Sequence, residues 1–301
     1  MSGQSTAHPL AGRLAAPSFV LPGTVAENAR FLSGRVDEMA LCFFEAQACL
    51  KYGENDLPPD LAEPSESGRL RCHVHLPVDL PWPSRHGTAA EAEAAAAADL
   101  ALAVCAGAAY LHPGLAVLHP PAGSPAHKRR LLRAFAARWQ ARSRIPLLLE
   151  NVDSCDVLEL GKTFPADHGL GLCLDVGHLL GYAQDHLLNS ELPETAALVH
   201  WSAPGRKDQH LPLTEFTMRQ RRTAAALMGR LPHTAVHLAE IFHWPGVAAS
   251  LPVLAALARE ALPEKTDPNA QHTKTRIHES FCSLPGAKRP FSVLLRLLEH
   301  F

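Results

Sequence analysis

Apolar residues along this chain gather into short runs, and run after run ends on a charged or imidazole side chain. LRCHVHLP, LAVLHPP, IPLLLEN, GLCLDVGH, ALVHWSA and AVHLAEIF all show it. Short runs with little polar alternation are the pattern of strands buried on both faces, as in a parallel sheet. Two further stretches near the start complete eight strand candidates, at 13–20, 36–44, 70–76, 115–119, 145–150, 170–175, 197–201 and 234–240. Helical segments fall between them. Thr24 with Glu27 and Thr88 with Glu91 match the capping box, and the second pair opens an Ala-rich helix. Ser124-Pro125 offers an N-cap and an N1 proline before HKRRLLRAFAARWQARSR. There Leu131, Leu132, Phe135, Ala136 and Trp139 recur at helical spacing, which turns the Arg and Lys residues to solvent.

Alternation of strand and helix demands a parallel sheet, and eight repeats favour a closed (β/α)8 TIM barrel over an open doubly wound sheet. The polar endings support closure, because they come from most strands rather than from one switch point. Residues 1–262 are read as the metal-dependent catalytic barrel. The segment 263–301 is polar around PEKTDPNAQHTKTR and apolar again at the end, so it is read as a linker and a short C-terminal helical extension.

Charge narrows the partners. A formal net charge of -2 gives no global attraction to a polyanion, so nucleic acid is disfavoured. Seven scattered cysteines (Cys42, Cys49, Cys72, Cys105, Cys155, Cys173 and Cys282) form no CxxC pair and are read as reduced residues, which points to the cytoplasm. The N-terminus carries no signal-peptide pattern, and no apolar run reaches the ~18 residues of a membrane span.

The polar endings define candidate chemistry. His75, His119, Glu150, Asp175, His178, His200, Asp208, His210 and Glu240 mix neutral nitrogen donors with carboxylates. Closely spaced divalent ions need that mixture, because carboxylates offset the repulsion between cations. Glu150 ends a buried strand, where an unpaired carboxylate is costly, so it is expected to bridge two ions. Asp175 and His178 stand three apart at a strand end, with Gly177 expected to permit an unusual backbone turn. Asp208 and His210 in an extended DxH segment point to one side and are expected to grip one ion. His73 and His237 are read as core or surface residues. Glu150, Asp175 and Glu240 are the expected catalytic carboxylates. Glu45, Asp79, Arg206 and Lys207 are expected to meet substrate, and Trp82, Tyr182, Trp201 and Trp244 to stand near the mouth.

These motifs resemble the xylose isomerase-like barrel superfamily that includes endonuclease IV: HLP at His75, HPP at His119, LEN at Glu150, DVGH at Asp175 and His178, then His200, DQH at Asp208 and His210, and Glu240. The resemblance implies up to three zinc ions, with manganese as the alternative. His75, His119 and Glu150 would hold one. Glu150, Asp175, His200 and Glu240 would hold a second, and His178, Asp208 and His210 a third. Over roughly 13–245, SFVLPGTVAENARFLSGRVDEMALCFFE, CHVHLPVDLPW, LCLDVGHLLGY and HLAEIFHW are similar to the cobamide-remodelling phosphodiesterase family. That similarity implies hydrolysis of the nucleotide-loop phosphodiester of a cobamide, giving cobinamide phosphate and a lower-ligand riboside. The rival readings are a sugar isomerase or epimerase with one Mn²⁺ on Glu150, Asp175, His200 and Glu240, an endonuclease IV-like DNA-repair nuclease, and a barrel that binds a corrinoid or metal without turnover. The sequence leaves the oligomeric state open.

Overall fold

The computed structural model describes residues 8–62, 70–206 and 209–261. The expected extension at 263–301 and Cys282 lie outside these residues. All eight predicted strands form: β1 (Leu14–Pro17), β2 (Glu38–Cys42), β3 (Arg71–His75), β4 (Ala116–Leu118), β5 (Leu147–Glu150), β6 (Leu170–Asp175), β7 (Ala196–Trp201) and, after a two-stranded hairpin of β8 (Ala203–Pro204) and β9 (His210–Leu211), β10 (Val236–Ala239). Every barrel pairing is parallel, and β1 pairs with both β2 and β10, so the sheet closes.

Strand alternation divides the core. Ala15, Ala40, Cys42, Val117, Leu148, Cys173, Leu198 and Leu238 point inward and fill the barrel with small and medium side chains. The outward set, including Leu41, Val74, Leu149, Leu174, Val199 and Trp201, packs beneath the surrounding helices. Inward positions continue upward as polar residues. Cys42 lies level with His75, Cys173 with Glu150, and His200 with Asp175 and Leu238. The ligand candidates therefore sit as one layer on a floor that is apolar except for the buried His73–Glu38 pair, 2.6 Å apart, on β3 and β2.

The main helices are α1 (Val25–Leu32), α3 (Thr88–Ala106), α4 (Pro125–Arg142), α8 (Met218–Met228) and α9 (Trp244–Ala261). Shorter ones are α2 (Ala46–Cys49), α5 (Phe164–Asp167), α6 (Val176–Gly181) and α7 (Asp185–Leu188). Both bonds of the Thr24–Glu27 capping box are present, and Ser124 caps α4 with Pro125 at its start. The expected box at Thr88 does not form. Gly87, at φ 97°, is the N-cap of α3, so Thr88 falls inside the first turn. On α4 the expected apolar face is buried, but Lys128 is not in solvent: it is buried against the loop after β5, where its Nζ meets Ser154 O and the Glu159 carboxylate. The six described cysteines are buried thiols. No helix among the described residues is long and apolar enough to cross a membrane.

His237 is buried under β10 and accepts the Trp201 indole N–H on Nδ1 at 3.1 Å. An indole can only donate, so Nδ1 must stay unprotonated. Burial pushes the pKa down to about 3 from 6.5, and Arg13, whose Nη1 is 3.4 Å away, adds to the effect. The unfolded chain binds this proton at higher pH than the folded one, so stability is full above pH 6.5 and declines as pH falls toward 3. The expected loss at pH 5 is about 2 kcal/mol. His237→Asn keeps an acceptor and cannot ionise, so its melting temperature should fall less steeply between about pH 6.5 and 5. Identical slopes would show that His237 does not carry this acid sensitivity.

Candidate metal centre

Glu150 ends β5 at the top of the barrel and is almost fully buried. Its two oxygens face different partners. Oε2 lies 3.2 Å from His75 Nε2 and 3.2 Å from His119 Nε2, while Oε1 lies 3.2 Å from His200 Nδ1. On the second side, His200 Nδ1 also lies 3.0 Å from Glu240 Oε2 and 3.8 Å from Asp175 Oδ2. Among the sets of donor atoms within 4.8 Å of one another are His75, His119 and Glu150, and Glu150, Asp175, His200 and Glu240, the two that Glu150 joins; His75 also stands with His200 and Glu240, and Cys173 with Glu150 and His200.

Local structure orients these groups. Asp175 ends β6 and caps α6: Oδ1 accepts the His178 backbone N–H at 2.6 Å, and Oδ2, turned toward the donor set, has no hydrogen-bond partner among the described residues. Gly177 does not serve an unusual turn, since it lies in ordinary helical backbone. Its lack of a side chain matters because a Cβ there would stand 2.2 Å from Ser202 Oγ. His75 Nδ1 donates to Leu76 O at 3.0 Å and His178 Nδ1 to Asn151 O at 2.8 Å. In both, the tautomer leaves Nε2 as the ligand nitrogen, the usual effect of a carbonyl partner behind a metal-binding histidine.

Charge completes the fit. Three buried carboxylates, Glu150, Asp175 and Glu240, share this layer; one cavity opens on Glu150 and Glu240 and a second lies beside it at His178 and His210, and neither has a described Lys or Arg in its walls. Burial drives Asp175 well above the ordinary carboxylate range; His178 pulls against it, and the Glu240 and Glu150 charges push the same way as burial. Burial also opposes ionisation of Glu150, but His200 and His119 hold it well below that range. Glu240 is lowered too, by His200 and His210 against burial. His200 is driven well above the usual imidazole value: burial opposes its charge, and Cys173, Glu240 and Glu150 outweigh burial. A buried layer in which three acids meet three imidazoles, with Asp175 Oδ2 and Glu240 Oε2 lacking a hydrogen-bond partner among the described residues, is chemically suited to divalent cations.

His210 opens β9, and its Nδ1 is 3.4 Å from Glu240 Oε2. Its ring centroid is 5.8 Å from that of His178. The β8–β9 hairpin thus brings two of the three residues expected for a third ion side by side. The third, Asp208, lies outside the described residues, as does Lys207.

Of the two cavities, the larger, about 550 Å³, reaches His75, His119, Glu150 and Glu240 between apolar walls of Phe44, Val78, Leu211 and Phe242. The smaller, about 260 Å³, lies beside His178 and His210 and is lined by Asp153, Tyr182, Ser202 and Gln209. The expected substrate contacts fall elsewhere. Glu45 is exposed at the N-cap of α2, Asp79 Oδ1 accepts the Ala46 N–H at 2.8 Å and so pins that turn, and Arg206 is exposed on the hairpin; none lines either cavity. Of the four aromatics, only Tyr182 borders one of these two cavities. Trp201 points outward from β7, Trp82 packs on Phe135 and Trp244 meets Phe31 edge-on.

Asn151 carried no expectation from the sequence. Its Nδ2 donates to Asp175 O and to Gln184 Oε1, both at 2.9 Å, while its Oδ1 accepts the Asp175 N–H at 2.7 Å. One side chain and its own carbonyl therefore hold both Asp175 and His178. Its place beside Glu150 in LEN was the available signal.

The barrel is similar over most of its length to a D-tagatose 3-epimerase-like protein, at 17% identity with a TM-score of 0.61, covering 83% of this chain and 98% of the other. It is similar to endonuclease IV from Thermus thermophilus at 21% identity and a TM-score of 0.60, over 82% and 99%. A protein from the same organism, solved after soaking with zinc chloride, matches at 20% identity and a TM-score of 0.56, over 83% and 99%. The chain has the xylose isomerase-like TIM-barrel fold. No family model and no curated protein matches the sequence. In TIM-barrel enzymes the carboxyl ends of the strands carry the chemistry, and the two donor sets stand there.

Proposed function

We propose that this chain is a metal-dependent phosphodiesterase that hydrolyses the nucleotide-loop phosphodiester of cobamides. The observation that carries the reading is Glu150, with one oxygen on His75 and His119 and the other on His200, which makes it a bridge between two donor sets. Divalent ions held by these residues would lower the pKa of water and offset charge on the phosphoryl oxygens. The protein's own part is positional. Asp175 is fixed by its bond to the α6 N-terminus, and His75 and His178 are held in one tautomer by carbonyls. Hydrolysis adds water across one P–O bond, leaving the phosphate on cobinamide and releasing the riboside as an alcohol.

The sequence similarity to cobamide-remodelling phosphodiesterases supports this substrate. The epimerase reading draws on a specific observation as well: Glu150, Asp175, His200 and Glu240 form a complete four-residue set for one ion. His75 and His119 on the other oxygen of Glu150 have no task in that scheme, which favours the hydrolase. The described cavity linings hold acids and imidazoles in place of Lys and Arg, a composition that disfavours a duplex DNA substrate.

Metal analysis of protein reconstituted with zinc or manganese should give at least two equivalents per chain, and the loaded protein should convert a cobamide to cobinamide phosphate. A single equivalent together with ketose epimerisation would replace this reading with the isomerase. Faster incision of an abasic duplex than of a cobamide would replace it with the nuclease.

A further inference from the structure

The rim of the larger cavity has an aromatic side that the metal chemistry does not use. β10, β1 and β2 are neighbours in the barrel, and the residues following them place Phe242 and Phe44 in the wall of this cavity, with Phe19 packed on Phe44. The Phe44 ring stands 5.5 Å from Phe242 at 68° and 5.8 Å from Phe19 at 31°. Phe242 in turn meets the His210 ring at 5.3 Å, edge to face. The aromatic arc is thus continuous with the donor layer.

Phe44 is 37% exposed and Val78, whose N–H donates to Phe44 O, 49%; both line this cavity. They are two of the four large apolar side chains that stand exposed among the described residues. Apolar surface left open at the mouth of a polar site marks a place for an apolar ligand group. The smaller cavity is more mixed, with Asp153, Ser202, Tyr182 and Gln209 beside Gly177, Gly181 and Pro204. The two lobes meet at His178, Gln209 and His210, so they present different chemistry to the two arms of a molecule centred on the donor layer.

We infer that the Phe19–Phe44–Phe242 arc is a subsite for a flat, uncharged heteroaromatic ring on the riboside arm of the substrate. The inference rests on the phosphodiesterase reading and specifies which arm lies where. A ring face meets Phe44 with dispersion and quadrupole complementarity, and such stacking tolerates different ring systems because every base has a π-face. Benzimidazole and purine ribosides both qualify. A bare sugar has no face to offer and gains little from these walls.

The test has two arms. Calorimetry on the metal-free protein measures binding of benzimidazole riboside, adenosine and ribose. Turnover on the zinc-loaded protein compares two matched ribose methyl phosphodiesters, one bearing benzimidazole and one with hydrogen in its place. The wild type should bind both ribosides but not ribose, and should prefer the base-bearing diester. Phe44→Ala should weaken riboside binding roughly ten- to a hundredfold and collapse the preference between diesters, while Phe44→Trp restores both. Thermal melting and zinc content of each variant separate this from misfolding, and Phe242→Leu provides a second probe of the same arc.

Equal riboside affinity in wild type and Phe44→Ala would overturn the subsite, as would cleavage of both diesters without discrimination, which leaves the phosphodiesterase reading intact. Phe44-dependent riboside binding without cleavage of either diester or of a cobamide would support the subsite and overturn the phosphodiesterase reading.

Discussion

Glu150→Gln should lower phosphodiester hydrolysis about a thousandfold or more. The substitution keeps the volume of a side chain packed among His75, His119 and His200, so the barrel should fold. It removes the one charge common to both donor sets and turns one oxygen into an N–H donor. Whichever set faces that nitrogen loses its shared ligand. Metal content should fall together with activity, and the difference in melting temperature between loaded and chelated protein should shrink. The paired measurement matters, because a residue acting only as a proton carrier would lose activity with metal content unchanged. Full metal occupancy with activity within about tenfold of wild type would remove Glu150 from its proposed role.

The second large effect is expected at Asn151, which touches no candidate substrate. Asn151→Asp is nearly isosteric but replaces the NH₂ donor by an acceptor. That acceptor would face Asp175 O and Gln184 Oε1, two oxygens that now receive hydrogen bonds. It would also add a fourth carboxylate beside a layer that already holds three. Asp175 loses the bond to its carbonyl and meets a repelling oxygen there, while His178 keeps the backbone carbonyl of residue 151. Removing a group that orients metal ligands weakens metal affinity or activity by about 10- to 100-fold, and a buried donor or acceptor left unsatisfied costs about 1–3 kcal/mol. Titration with metal and a melting curve on Asn151→Asp test both effects. Unchanged metal affinity would mean that Asp175 is positioned by its backbone alone.

Much of this site was legible because parallel strands write themselves plainly: a buried apolar run that stops on an acid or imidazole announces the end of a strand and the side chain at its mouth. Glu150, Asp175, His200 and Glu240 were visible for that reason. Contacts made between loops were not. Asp79 stands close after His75 in the chain, yet its carboxylate turns to the Ala46 N–H, a partner that only the fold supplies. Trp201 follows His200 directly, and strand alternation sends it to the opposite face. Lys128 looked like one more solvent charge on α4, but the loop after β5 closes over it. The aromatic arc was hidden most completely, because Phe19, Phe44 and Phe242 adjoin only after β1 and β10 pair.

The seam between β1 and β10 also ties the donor layer to the order of the chain. The first ligand candidate stands on β3 and the last follows β10, and the ring between them is sealed only where β1 meets both β2 and β10. A fragment ending before β10 would hold most of the histidines and still lack Glu240, and with it the four-membered donor set. Uptake of the ion by that set would therefore register completion of the molecule: a nascent or truncated chain would be distinguishable from a finished one by its metal content.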